Sequence, residues 1–207
     1  MSHSASSFPQ RLSCQHKAAK AFHCSDKNQS ILKMPDQAAY YLRQMYIYNF
    51  AIYQGSSKDP QGKDKVFAYV WLENKYQKGS NQVASAVYHR LTSTDLLSYH
   101  TVKLVADGFG GQNKNKILID MFGKFLSQDA PSSVKEIKVI FPVVGHSIIP
   151  PDRIFGHIES EVKKHSTLLT DKDYINIIGF HATVIHLGKD CPVLEWKEAV
   201  SQVVKEP

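Results

Sequence analysis

Hydrophobic and strand-forming residues gather late in this chain. Positions 1–19 are polar, rich in Ser and Lys, and read as an N-terminal tail. From about residue 39 the pattern changes. The run Ala39–Tyr53, AYYLRQMYIYNFAIY, is aromatic and β-branched and predicts a strand. QGSSKDPQGKDK at 54–65 has the Gly, Ser, Pro and alternating charge of a hairpin connection, and Val66–Trp71 (VFAYVW) predicts its antiparallel partner. A helical period follows, with Val83, Ala84, Val87 and Leu91 recurring after Ser80. Thr101–Ala106 (TVKLVA) is a short apolar strand. Ile117, Ile119, Met121, Phe122 and Phe125 mark a second helix over Asn113–Ser127, and Glu136–Val144 another strand. A third helix opens at Pro151, since proline suits the first helical turn, and carries the stripe Ile154, Phe155, Ile158, Val162. Asp171–Ile178 is a weaker helix and Ala182–Leu187 a terminal strand.

Antiparallel strands come first, then helices alternating with strands, and such alternation builds a parallel portion of sheet. The expectation is an α/β domain over 20–200, ribonuclease-H-like in architecture. It has a mixed five-stranded sheet, antiparallel strands first and a parallel βαβαβ part after. Fold alone assigns no function.

Composition narrows the class. The 207 residues, 43% hydrophobic and 21% charged, fit one globular domain without disulfide or metal staples. No apolar run has the length of a bilayer span, and the N-terminus lacks the apolar stretch of a signal peptide, so no membrane partner is expected. Three cysteines, Cys14, Cys24 and Cys191, form no framework and suit a reducing compartment. The net charge of +6 is concentrated early: residues 1–65 hold 9 Lys/Arg against 4 Asp/Glu. That bias is compatible with a phosphate backbone as partner, or with a solvated basic arm.

Two stretches could carry chemistry. Asp107–Asn115, DGFGGQNKN, directly follows a strand, so Asp107 falls at the strand's carboxyl end, where open α/β sheets bind ligands. Its glycines permit close approach, and Gln112, Asn113 and Asn115 add neutral hydrogen-bonding groups. The bland alternative is a tight turn with Asp107 bonding backbone amides. A nucleotide-dependent enzyme is a third reading, but neither G-x-G-x-x-G nor a G-K-[ST] ending is present. In the second stretch, PVVGHSIIPPDRIFGHIE, His146 ends a strand and Asp152 falls in the first helical turn, where an acid also serves the helix dipole. Glu159, seven residues on, shares a face with Asp152, expected opposite the Ile154–Ile158 stripe. A strand-end acid and helix acids together suit a divalent cation with oxygen ligands. His146 could shuttle protons or orient a water. Glu73 reads as a loop acid. Cys14-x-His16 and His23-Cys24 have zinc-ligand types without a zinc spacing.

The segments MPDQAAYYLRQMYIYNFAIYQG, FAYVWLENKYQKGSNQVASAVYHRL, VADGFGGQNKNKILIDM and FPVVGHSIIPPDRIFGHIE resemble a transposase-like domain of unknown function widespread in invertebrate genomes, itself similar to the ribonuclease-H-like core of DDE/D transposases. The resemblance runs from about residue 20 to Trp196. It implies a transposable-element origin, Mg²⁺ or Mn²⁺ held by Asp107 and Asp152, and cleavage or transfer of DNA strands. His146 and Gln112 would assist, with Glu159 as the reserve acid; Gln112, Asn113, Lys114 and Arg153 would contact nucleic acid, and the location would be nuclear, with cytoplasmic as the alternative. A homo-oligomer stays open. The pattern also departs from the family: Phe22-His23-Cys24-Ser25 stands where F-D-C-Q is expected, so His23 replaces the first acid. Asp26 could substitute only through a register slip. Gln82 stands in place of Glu, and Phe109 in place of Cys. A truncated or decayed copy acting as a nucleic-acid or protein binding module is the competing expectation.

Overall fold

The longest strand among the described residues, β1 (Ala19–Ser30, AKAFHCSDKNQS), forms the centre of the sheet. Phe22 and Cys24 point to one side, His23 and Ser25 to the other, and all four are buried. Residues 18–31, 33, 45–56, 59–60, 62–106, 116–142 and 149–203 are described by a computed structural model. Antiparallel to β1 runs β2 (Tyr46–Gln54), which pairs in turn with antiparallel β3 (Val66–Leu72). On its other side β1 pairs in parallel with β4 (Thr101–Ala106), and β4 with β5 (Glu136–Ile140). A short β6 (Thr183–His186) joins β3 in parallel, giving the order β5-β4-β1-β2-β3-β6.

The fold is thus α/β with a six-stranded mixed sheet, where five strands were expected. The added strand is β1, a stretch inside the expected domain to which the hydrophobic pattern assigned no element. Its second half, Ser25–Ser30, is entirely polar, so alternation of apolar side chains ends halfway along it. The hairpin of β2 and β3, the alternation of helix and strand from residue 80 onward and the terminal strand all match expectation. The helix following β4, α2 (Lys116–Lys124), continues into a wider π turn at Phe125–Asp129.

Helices cover both faces. One face, with Phe22, Cys24, Phe50, Tyr69 and Leu104, packs against α1 (Ser80–Thr92), α2 and α5 (Trp196–Val203) through Val87, Met121 and Trp196. The other, with Ile47, Ala51, Tyr53 and Val70, packs against α3 (Pro150–Lys164) and α4 (Asp171–His181) through Ile154, Phe155, Ile158 and Ile177. Burial of each of these larger apolar side chains contributes roughly 1.5–3 kcal/mol. Among the described residues no helix is long and apolar enough to cross a membrane.

Candidate metal and nucleic-acid site

Helix α3 begins with two prolines, Pro150 and Pro151, whose fixed φ and missing N–H suit a first turn. Asp152 follows at the third helical position. Its Oδ2 accepts the Ile149 N–H at 3.1 Å, so the carboxylate does cap its own helix. Ile149 has no side-chain oxygen to accept the Asp152 N–H in return, and that N–H donates to the Ile149 carbonyl instead, at 3.0 Å. Oδ1 accepts the Ser25 hydroxyl of β1 at 3.0 Å. The capping reading and the site reading therefore describe one carboxylate. An ionised carboxylate has about four acceptor positions, and these two bonds use half of them.

Ser25 fixes where that carboxylate lies. Its neighbour Cys24 pairs with Ala106, the last residue of β4. Asp152 thus sits at the carboxyl ends of the parallel strands, one β1 residue beyond the end of β4. Asp107 comes next in the sequence, but it lies outside the described residues, as do Gln112, Asn113, Lys114 and His146. Arg153 is exposed on α3 and close enough to Tyr53 for its charge to favour the phenolate, although burial still raises that phenol above its ordinary value.

The register also settles which side of the sheet each β1 residue serves. His23 shares the Asp152 side with Ser25. The imidazole is buried, and its ring centroid lies 6.0 Å from that of Tyr53. Burial pushes its pKa below the ordinary value, opposed by a hydrogen bond to the Gly55 backbone, so the ring is neutral at pH 7. Its Nδ1 is buried with no partner among the described residues. Asp26 points to the opposite side, where it pairs with Lys78. A slip that would bring Asp26 to the site would turn every β1 side chain over, and the pairing along β1 rules it out.

Glu159 lies about two turns along α3 and pairs with Lys27, two residues beyond Ser25 on the same side of β1. That hydrogen bond holds its carboxyl below the usual range. Asp152 and Glu159 share a face, as expected, but the face flanks the apolar stripe instead of opposing it: both acids reach β1 while Ile154, Phe155 and Ile158 pack beside them. Glu73 is a loop acid whose Oε2 accepts the Tyr46 N–H at the start of β2. Cys24 is fully buried on the side opposite His23, so the two cannot share an ion. Cys14 and His16 lie outside the described residues.

Ser25 and Lys27 escaped the sequence reading. Once β1 is recognised, the period of two places both beside His23, but nothing in so polar a segment announces a central strand. Among the described residues no three His, Cys, Asp or Glu side chains are assembled to hold a metal ion. The described groups on this side include the Asp152 carboxylate, the Glu159 carboxylate already paired with Lys27, and the unpartnered His23 nitrogen. An oxygen and nitrogen pair suits Mn²⁺ better than Mg²⁺, which demands oxygen.

No curated protein and no solved structure matches the chain. A family model matches residues 58–206, a span that takes in Asp107 and Asp152 and begins after β1 and β2, so that His23 falls before it. With well over half its length matched, the chain belongs to the family described as a domain of unknown function, DUF7869.

Proposed function

We propose that this is a ribonuclease-H-like domain of transposase ancestry, acting on DNA through a divalent cation held between the end of β4 and the start of α3. The observation that carries this reading is the Ser25–Asp152 hydrogen bond, which brings the α3 acid onto the central strand beside the last residue of β4. The sheet order supports it: a central β1, antiparallel to β2 and parallel to β4, is the arrangement expected of such a core. Asp107 and Asp152 would hold the cation, preferably Mn²⁺ given the His23 nitrogen nearby. A bound cation would supply Lewis-acid polarisation of a phosphodiester and a hydroxide-like nucleophile near neutral pH. The chain's own residues would orient the carboxylate through Ser25 and anchor the nucleic acid through cationic groups such as Arg153.

The test is nicking of plasmid DNA in Mn²⁺ or Mg²⁺. The expected result is Mn²⁺-dependent nicking, lost in Asp107→Ala and Asp152→Asn and retained in Asp26→Asn, whose carboxylate faces the other way. Absence of nicking with both metals would overturn the enzymatic reading.

His23 itself favours a second reading. A neutral, buried imidazole stands where the family resemblance calls for an acid, which suits a domesticated or decayed domain that binds nucleic acid without turnover. Salt-sensitive DNA binding without metal-dependent cleavage is the outcome expected of that form.

A further inference from the structure

We infer that the α3-side face of β4 and β5 is the surface on which the DNA backbone lies, with Lys103 and Lys138 receiving its phosphates. The inference rests on the DNA reading above and extends it from the cation site to a binding surface. The strand period of two assigns the sides. Val102, Leu104, Ile137 and Val139 join the core under α1, α2 and α5. Thr101, Lys103 and Val105 of β4 and Glu136, Lys138 and Ile140 of β5 therefore point the other way. The core under α3 and α4 takes apolar side chains from β2, β3 and β6 and, among the described residues, none from β4 or β5. Lys103 and Lys138 are exposed, and Ile140 is 43% exposed.

The charge on this face is paired in an unusual way. Lys103 and Lys138 are partners in the parallel register of β4 and β5, on strands about 4.8 Å apart. Like charges directly opposite one another destabilise a sheet, and a phosphate between them would relieve the repulsion. Glu136 offsets it only in part: its Oε1 accepts Lys138 Nζ at 3.3 Å and the Thr101 hydroxyl at 2.7 Å. Lys103 has no acidic partner among the described residues. Next to Lys103, β1 offers only Ala21, whose short side chain lets a backbone come close. Toward β2 the charges are mixed, since Asp59, Asp64 and Arg153 all act on the Tyr53 hydroxyl. The positive half of the face is the β4–β5 half.

That half leads to the cation site. Lys103 stands level with Ala21, and Ser25, which holds Asp152, lies further along β1. The separation along the strand is about 13 Å, or roughly four base pairs of duplex, so one DNA molecule spans both. A second copy docked here by a two-fold axis would instead set lysines against lysines.

The test is fluorescence anisotropy of a labelled duplex over a salt series in EDTA, which reads binding apart from cleavage. The chains compared are the natural one, the double variant Lys103→Gln/Lys138→Gln, and Lys172→Gln on an exposed position of α4. A lysine that meets a phosphate contributes about 0.9 to the slope of log K against log salt. The double variant should therefore lose up to about 1.8 of slope, so that between about 50 and 200 mM salt its affinity falls roughly tenfold less than that of the natural chain. Lys172→Gln should keep the natural slope. Salt-sensitive binding with a slope that the double variant leaves unchanged would overturn the inference and leave the DNA reading standing. Absence of DNA binding by the natural chain would remove both. A natural chain that sediments as a dimer, dissociated by the double substitution, would assign the face to a second copy and end the inference too. Both lysines are exposed, so the variant should fold and lose no stability in urea, because a like-charged neighbour is gone. A clear loss would mean that the pair serves the fold instead.

Discussion

Asp152 carries a helix cap and a tie to β1 on one carboxylate, and the two roles separate by substitution. Asparagine keeps an acceptor oxygen for the Ile149 N–H and gives up only the carboxylate's favourable interaction with the helix dipole. Asp152→Asn is therefore expected to lose about 0.3–1 kcal/mol in urea unfolding, while metal-dependent nicking disappears. A destabilisation of several kcal/mol would mean that the carboxylate serves folding first. His23 sets a second residue-scale expectation. Burial lowers the pKa of His23, His89 and His181 from the ordinary 6.5. Below about pH 6.5 the unfolded chain then binds protons that the folded chain refuses, so stability falls as pH drops through that window and is level above it. In urea titrations at stepped pH, His23→Gln should show a shallower loss on acidification. An unchanged slope would show that the imidazole titrates alike in both states.

Helix and strand ends explain how the elements hold their places. Thr170 and Asp173 form a reciprocal cap on α4: the Thr170 hydroxyl accepts the Asp173 N–H at 3.3 Å, and Asp173 Oδ2 accepts the Thr170 N–H at 2.9 Å. At the other face Ser85 of α1 anchors the segment before α5. Its hydroxyl accepts the Leu194 N–H at 2.9 Å and the Trp196 Nε1–H at 3.1 Å. Ser85→Ala should leave both donors unpaired and cost about 1–3 kcal/mol in thermal or chemical unfolding; a neutral change would mean that water reaches them. Elements with strong periodicity were legible beforehand. The α3 stripe of Ile154, Phe155, Ile158 and Val162 is buried as its spacing implies. β1 was not, because only its first half alternates apolar and polar residues, and its partners are set by pairing with β2 and β4, which no local pattern encodes.

At the scale of the whole molecule, two cores on opposite sides of one sheet divide the work. The side with α1, α2 and α5 is the larger apolar core, whereas the side with α3 and α4 interrupts its core with His23, Ser25, Lys27 and Asn49 along the central strands. Such polar interruptions weaken burial unless they meet partners, and here Ser25 and Lys27 meet Asp152 and Glu159. Of the candidate site, Asp152 was legible in the sequence because a proline-opened helix places its first turn at a strand end. Its meeting with β1 was not, since it joins residues 127 positions apart. The most direct measurement is Mn²⁺ titration of the isotope-labelled chain followed by paramagnetic broadening of its amide resonances. Broadening that begins at Ser25, Ala106 and Asp152 and vanishes in Asp152→Asn is the expected result. Broadening that starts elsewhere, or survives that substitution unchanged, would contradict a cation site at the meeting of β1, β4 and α3.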